Sequence, residues 1–216
     1  MRARILIMVL AAVFAREELR AAILDQIAVT VANAVITESD IVREIRVAAF
    51  LDQKPVDLRG EEKRRAADRL VDQVLILRDA AISRAALGTP EDARRMLDQV
   101  KSQYPSEADY QAALARYRIS EAEVTDHLLA GLRALRFTDL RFRPEVEISG
   151  DDLREFYASL SAEWREKGEA RIPTFEESRD QVEKLLTDQR VGQALDRWLG
   201  AQRTQTRIIY RNQVFQ

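Results

Sequence analysis

Two short stretches near the ends of the chain carry β-strand signals, whereas most of the sequence between them has helical periodicity. Residues 27–32 alternate Ile, Val and Val with Ala, Thr and Ala, and a tight turn is predicted at Asn33-Ala34 before a short return strand. Residues 206–210, Thr-Arg-Ile-Ile-Tyr, are the only other good strand candidate. Isolated strands would leave backbone groups unpaired. The sequence therefore predicts that these two segments pair in one small sheet.

The composition favours long helices and excludes several kinds of site. Only 7 Gly and 5 Pro occur among 216 residues, well below the usual share of about 12%. The chain has no Cys, which excludes disulfides, thiol nucleophiles and cysteine-ligated metal. His127 is the single His, and no Asp or Glu spacing around it indicates a metal site. The net charge is -2 and the basic residues are scattered, so nucleic acid is not expected as a partner.

The first fifteen residues have the pattern of an export signal. Arg2 and Arg4 precede an apolar run over 5–15, which ends in the small-x-small cleavage tripeptide Val-Phe-Ala. This run is too short to span a bilayer, which needs about 20 residues. We therefore expect a cleaved signal peptide at 1–15, extending to residue 22 at most, and a periplasmic protein. The alternative is that this stretch is the amphipathic first helix of a cytoplasmic protein.

Helix starts between the predicted strands are marked by Ser or Thr followed three residues later by an acidic residue, the signature of a capping box. These pairs are Thr89 with Asp92, Ser106 with Asp109, Ser120 with Glu123, Ser149 with Asp152 and Thr174 with Glu177. Apolar residues follow each start at steps of three and four, which is typical of amphipathic helices. Two earlier helices are predicted over about 39–51 and 61–83. The fold class is therefore predicted to be mainly α with one small sheet.

The order of these segments resembles the N-terminal module of SurA-type periplasmic chaperones. The opening DQIAVTVANAVITESDI is similar to a family start in which a strand A-x-V-N is followed by V-I-T-x-S-D and a helix. ADRLVDQVLILRDAA looks like the second long helix of that family, and residues 89–142 match its next three helices in order and spacing. VEISGDDLREFY resembles the segment that leads out of the module, and residues 173–210 resemble the helix and strand that return to it.

This resemblance implies a SurA N-terminal-like chaperone module over 25–157, completed by a C-terminal helix and strand over 174–212. SurA-type proteins, like their relatives PpiD and PrsA, usually carry parvulin-type prolyl isomerase domains between these two parts. Here only residues 158–173 separate them, whereas a domain needs at least about 50 residues. We therefore expect a short linker in place of the parvulin domain, and no catalytic residues, metal or cofactor.

The resemblance also implies a function, namely an ATP-independent holdase that binds unfolded polypeptides, above all outer-membrane proteins, through apolar surface between helices. Such a protein is expected to be a monomer or weak dimer without stable membrane insertion. Aromatic side chains supply large contact area to varied partners. The candidate client-binding residues are Tyr104, Tyr110, Tyr117, Phe137 and Phe142. For each of them, the alternative is an ordinary position in the hydrophobic core.

Two other functions stay open from the sequence. One is a prolyl isomerase relative with residual activity, and the other is an envelope adaptor that binds one folded partner. His127 can be drawn as an acid/base group with Asp126 and Glu123, but consecutive residues on a helix do not face each other, and the sequence shows no nucleophile nearby. A solvated or capping role is therefore expected for His127.

Overall fold

The computed structural model describes residues 25–83, 87–168 and 171–216, so the predicted signal peptide lies outside the described residues. The chain is mainly helical with a small three-stranded antiparallel sheet, as the sequence predicts. In chain order the elements are β1 (Ile27–Val31), β2 (Ala34–Thr37), α1 (Glu38–Leu51), α2 (Gly60–Ser83), α3 (Pro90–Lys101), α4 (Glu107–Tyr117), α5 (Glu121–Phe142), α6 (Gly150–Glu166), α7 (Phe175–Gln205) and β3 (Ile208–Tyr210). Short 3₁₀ helices follow α5 and β3, at Arg143–Glu145 and Asn212–Phe215.

The sheet joins the two distant strand segments, which confirms their predicted pairing. Its order is β2-β1-β3, with Thr30 of β1 opposite Val35 on one side and Ile209 on the other. The predicted turn at Asn33-Ala34 is wrong by one residue, because Ala34 already pairs with Val31 and belongs to β2. The turn residues are Ala32 and Asn33, and Ala32 takes a positive φ of 50°.

A hydrophobic core lies between the sheet, α1 and α2. The strands contribute Val29, Val31 and Ile36, and α1 contributes Ile41 and Ile45, all of them buried. The facing side of α2 carries two small, fully buried residues at 66 and 67, which let the helix approach the strands closely. The 3₁₀ helix after β3 adds another buried side chain at position 214. Both strand segments are therefore built into the same core.

Helix α7 extends from this core into an arm. The arm consists of α6 and the first half of α7, which pack around Leu153, Val182 and Leu186. Buried Ser161 and Ser178 also lie in this pair of helices. Helix α6 continues to Glu166 and so includes the first part of the segment 158–173 that was predicted to be a linker, because the buried face of α6 continues past residue 157. No helix within the described ranges is long and apolar enough to cross a membrane.

Candidate functional site

Four of the five aromatic candidates lie in the core and offer no surface to a client. Tyr110, Tyr117, Phe137 and Phe142 are all buried. Tyr104 is half-buried, and its ring stacks on Phe50 with the ring centres 5.9 Å apart. The interpretation of these rings as exposed binding surface is therefore corrected, and the alternative of a core position holds for the four buried ones.

Tertiary packing explains why these rings are buried. Phe50 near the end of α1 contacts Tyr104, Tyr110 and Tyr117, so the three tyrosines close a core between α1, α3 and α4. At the other end of α5, Phe137 and Phe142 contact each other, and both contact Trp198 of α7 at centre distances of 5.6 Å and 6.1 Å. Each group of rings joins helices that are distant in sequence.

Large apolar side chains are exposed elsewhere, at the end of the molecule where α2 and α5 finish. Ile82 is 76% exposed, and Leu135 and Leu140 of α5 are 60% and 63% exposed. Leu140 also lines a groove of about 530 Å³ together with Leu87 and Pro144. The two helix ends adjoin, because the last turns of α2 share a core cluster with the last turns of α5. We call the groove residues Leu87, Leu140 and Pro144, together with the exposed side chains of Leu135 and Ile82 on the two adjoining helices, the apolar end surface.

Arginines line the groove of the apolar end surface, but carboxylates neutralise them. Arg136 donates a hydrogen bond to Asp92 of α3 at 2.8 Å. Arg143 donates to Asp139 at 2.7 Å and to Asp188 at 2.9 Å. These bonds hold the guanidinium groups in place at the rim, so the groove presents apolar surface with little free charge.

A second concave site, the central cleft, lies between α1, α2 and α5 next to strand β2. Its volume is about 380 Å³. The apolar part of its lining consists of Val35, Ile36, Val47, Leu70, Val74 and Ala130. The charged part consists of Asp40, Arg43, Glu44, Glu123 and Asp126, with His127 beside them. Four carboxylates thus line the cleft, against Arg43 and His127 in the lining and Arg69 beside Glu44, which leaves the cleft with an excess of carboxylates.

Glu44 connects the three helices that form the central cleft. Its side chain is only 12% exposed. The Nδ1 atom of His127 donates a hydrogen bond to Glu44 Oε2 at 3.0 Å, and the Nε of Arg69 lies 3.5 Å from Glu44 Oε1. Burial raises the pKa of Glu44, but the hydrogen bonds and positive charge supplied by His127 and Arg69 outweigh burial and hold this pKa below its usual value of 4.5.

The partner of His127 therefore differs from the one considered in the sequence. His127 lies in α5 and bonds to Glu44 of α1, which is 83 positions away, and not to its neighbours Asp126 and Glu123. Glu123 instead accepts a hydrogen bond from the backbone N–H of Ser120, which lowers its pKa. No local spacing marks Glu44, because the contact exists only once α1 packs on α5.

The described part of the chain contains no group of three or more His, Asp or Glu residues placed to hold a metal ion. A scan against models of known protein families and a search of curated proteins find no match to this chain. The groove of the apolar end surface and the central cleft are therefore the two candidate sites of this chain.

Proposed function

We propose that this protein is an ATP-independent periplasmic holdase, which binds unfolded polypeptides and carries out no chemical step. The observation that carries this proposal is the apolar end surface, where Leu135, Leu140 and Ile82 are each more than half exposed. Exposing such side chains to water forfeits about 1.5–3 kcal/mol each relative to burial. Exposed apolar patches often mark sites of protein contact, and Leu140 lines such a patch together with Leu87 and Pro144.

The resemblance to SurA-type chaperones gives this surface its proposed role. Residues 25–157 and 174–212 would form a SurA N-terminal-like module from which the parvulin domain is missing. The pairing of β1 with β3 supports this reading, because it brings the returning segment back onto the first strand. Clients are expected to be unfolded polypeptides, in particular outer-membrane proteins, and binding would end when the client folds or inserts.

Light scattering tests the holdase activity directly. A urea-unfolded outer-membrane protein is diluted into buffer with increasing amounts of the purified protein, and aggregation is followed over time. We expect the wild type to suppress aggregation. For the double variant Leu135→Lys/Leu140→Lys, the protein concentration that halves aggregation should be at least about tenfold higher, which corresponds to a loss of about 1.4 kcal/mol in binding. Leu185→Lys is the matched control, since Leu185 is a partly exposed leucine of the arm.

Each alternative gives a different result in a companion experiment. Acceleration of cis/trans exchange in a prolyl peptide by the purified protein would select the isomerase relative. A single stoichiometric folded partner in pull-downs, without suppression of aggregation, would select the envelope adaptor. Cell fractionation with N-terminal sequencing tests the location, and an uncleaved protein in the cytoplasm would contradict the periplasmic role.

A further inference from the structure

Strand β2 forms one edge of the sheet, and its central residue has backbone groups that point away from β1. Val31 pairs with Ala34 across the two-residue turn, and Thr30 lies opposite Val35. Hydrogen-bonded and non-hydrogen-bonded pairs alternate along an antiparallel ladder. Because the pair next to a two-residue turn is hydrogen-bonded, Thr30 and Val35 form a non-hydrogen-bonded pair.

The bonds on the other side of β1 agree with this assignment. The N–H of Ala32 donates to the carbonyl of Arg207, and the N–H of Arg211 donates to the carbonyl of Ala28. Alternate residues of β1 thus point towards β3, and Thr30 is one of them. The N–H and C=O of Val35 consequently face outwards from the sheet, and no described residue outside the sheet bonds to them.

The open edge of β2 adjoins the central cleft. The side chain of Val35 is 49% exposed and lines this cleft together with Ile36. Asp126 of α5 also lines the cleft and is exposed, and its carboxylate has no hydrogen bond or ion pair within the described ranges. A strand added beside Val35 would therefore find backbone partners, an apolar wall and a free carboxylate at one place.

We propose that an extended client segment adds as a fourth strand at Val35, places an aliphatic side chain in the central cleft and sets a Lys or Arg beside Asp126. This inference rests on the proposed holdase function and names the kind of client segment that the protein prefers. Main-chain hydrogen bonds to a sheet edge supply affinity, and pockets for alternate side chains supply selectivity. The excess of carboxylates in the cleft selects a basic segment over an acidic one.

Fluorescence anisotropy with short labelled peptides tests the proposal on the wild-type protein. The probe is a fluorescein-labelled seven-residue peptide of alternating Val and Lys. We expect it to bind at least about tenfold more tightly than the Val and Glu counterpart, and at least about tenfold more tightly than a Val and Lys peptide with N-methylated backbone, each a difference of about 1.4 kcal/mol. Equal binding of the three peptides, or no binding of the first, would overturn strand addition.

Two variants locate the site. Val35→Pro removes the outward N–H but leaves the ladder with β1, because Pro is tolerated on an edge strand where its N–H would face away. Asp126→Asn removes the free carboxylate, and Asp180→Asn, at an exposed position of α7, is its matched control. We expect weaker binding of the Val and Lys peptide by the first two variants and unchanged binding by the third, with circular dichroism checking the fold of each.

The outcomes separate this inference from the proposed function. If Val35→Pro and Asp126→Asn both bind the Val and Lys peptide with wild-type affinity, strand addition is rejected. The holdase function would still stand if Leu135→Lys/Leu140→Lys loses the suppression of aggregation. If Asp126→Asn keeps the wild-type circular dichroism but loses peptide binding, the site is supported without reference to Val35→Pro. The three wild-type peptide measurements need no variant at all.

Discussion

A β-carbon on Gly60 would lie 1.9 Å from the carbonyl oxygen of Phe215. Gly60 is the first residue of α2, and Phe215 ends the 3₁₀ helix that follows β3. The contact lets the segment after β3 lie against the start of α2, where Val214 is buried in the main core. The side chain of Arg64 then covers the Tyr210 ring, with its guanidinium carbon 3.6 Å from the ring centre.

Gly60→Ala should therefore destabilise the fold by about 1–3 kcal/mol, because backbone atoms must move to admit the methyl group. Gly192→Ala is the control. It adds the same methyl group inside α7, where, apart from the neighbouring residues and the backbone of the helix itself, no described atom lies within 4 Å of the new β-carbon. The control should stabilise the protein by about 0.5–1 kcal/mol through the better helix propensity of Ala. Urea unfolding followed by circular dichroism measures both, and equal free energies of unfolding would contradict the contact.

Tyr110 and Tyr117 are both buried in the same aromatic core but differ in their hydroxyl groups. Burial raises the pKa of Tyr110, and the adjacent Glu121 carboxylate raises it further, but the hydroxyl forms no well-aligned hydrogen bond with any described residue. Tyr117 donates a hydrogen bond to the carbonyl of Lys54 at 3.0 Å. Tyr110→Phe should consequently be neutral or stabilising by up to about 1 kcal/mol, whereas Tyr117→Phe should cost about 1 kcal/mol. Thermal and urea unfolding of the two variants distinguish the hydroxyls, and a larger loss in Tyr110→Phe would show that its hydroxyl is satisfied.

Local signals made much of the fold predictable from the sequence. The capping boxes that begin with Thr89, Ser120, Ser149 and Thr174 are complete. In each, the side-chain oxygen of the capping residue accepts a hydrogen bond from the backbone N–H three positions later, and the acidic side chain at that position accepts one from the backbone N–H of the capping residue. These boxes were predictable because each needs only two residues three positions apart. Ser106 caps α4 through its side chain. The pairing of the distant strands was also predictable, since two lone strands in a helical chain have few other ways to satisfy their backbone groups.

The candidate sites were less predictable, because they depend on how helices pack. Leu140 and Phe142 lie two positions apart in α5, yet the first is exposed and the second buried. Residues two positions apart lie on opposite sides of a helix, and the packing of α2 and α7 against Phe142 determines which of the two sides is buried. The bond between His127 and Glu44 likewise depends on the packing of α1 against α5, which no spacing in the sequence encodes.

Arg203 ties the end of α7 to α2. Its Nε donates to Asp72 at 2.7 Å, and its guanidinium also donates to the backbone carbonyl of Asp68 at 3.0 Å. A lysine has one nitrogen and cannot reproduce this fork. Arg203→Lys should therefore lower the free energy of unfolding by about 1–2 kcal/mol. Arg197→Lys, on an exposed position of the same helix, should change it by less than about 0.5 kcal/mol. Equal effects in urea unfolding would show that the fork contributes nothing.

Glu44 makes the stability of the three-helix region dependent on pH. Because its pKa is lower in the folded protein than its usual value of 4.5, the ionised carboxylate stabilises the fold above that value. This contribution is lost as the pH falls through 4.5 towards the lower pKa of the folded state. Glu44→Gln should therefore cost about 2 kcal/mol at pH 7, and the difference from the wild type should shrink between pH 5 and 3.

The control for Glu44 is Glu91→Gln. Glu91 is exposed and, among the residues that the structure describes, pairs only with Arg94, three positions away in α3. Such surface pairs contribute about 0–1 kcal/mol. Urea unfolding at several pH values measures the free energy for the wild type and both variants. The free energy of unfolding of the Glu44 variant should approach that of the wild type at acidic pH. That of the Glu91 variant should stay close to the wild-type value at every pH. A difference between Glu44→Gln and the wild type that stays constant from pH 7 to pH 3 would mean that ionisation of Glu44 does not hold the three helices together.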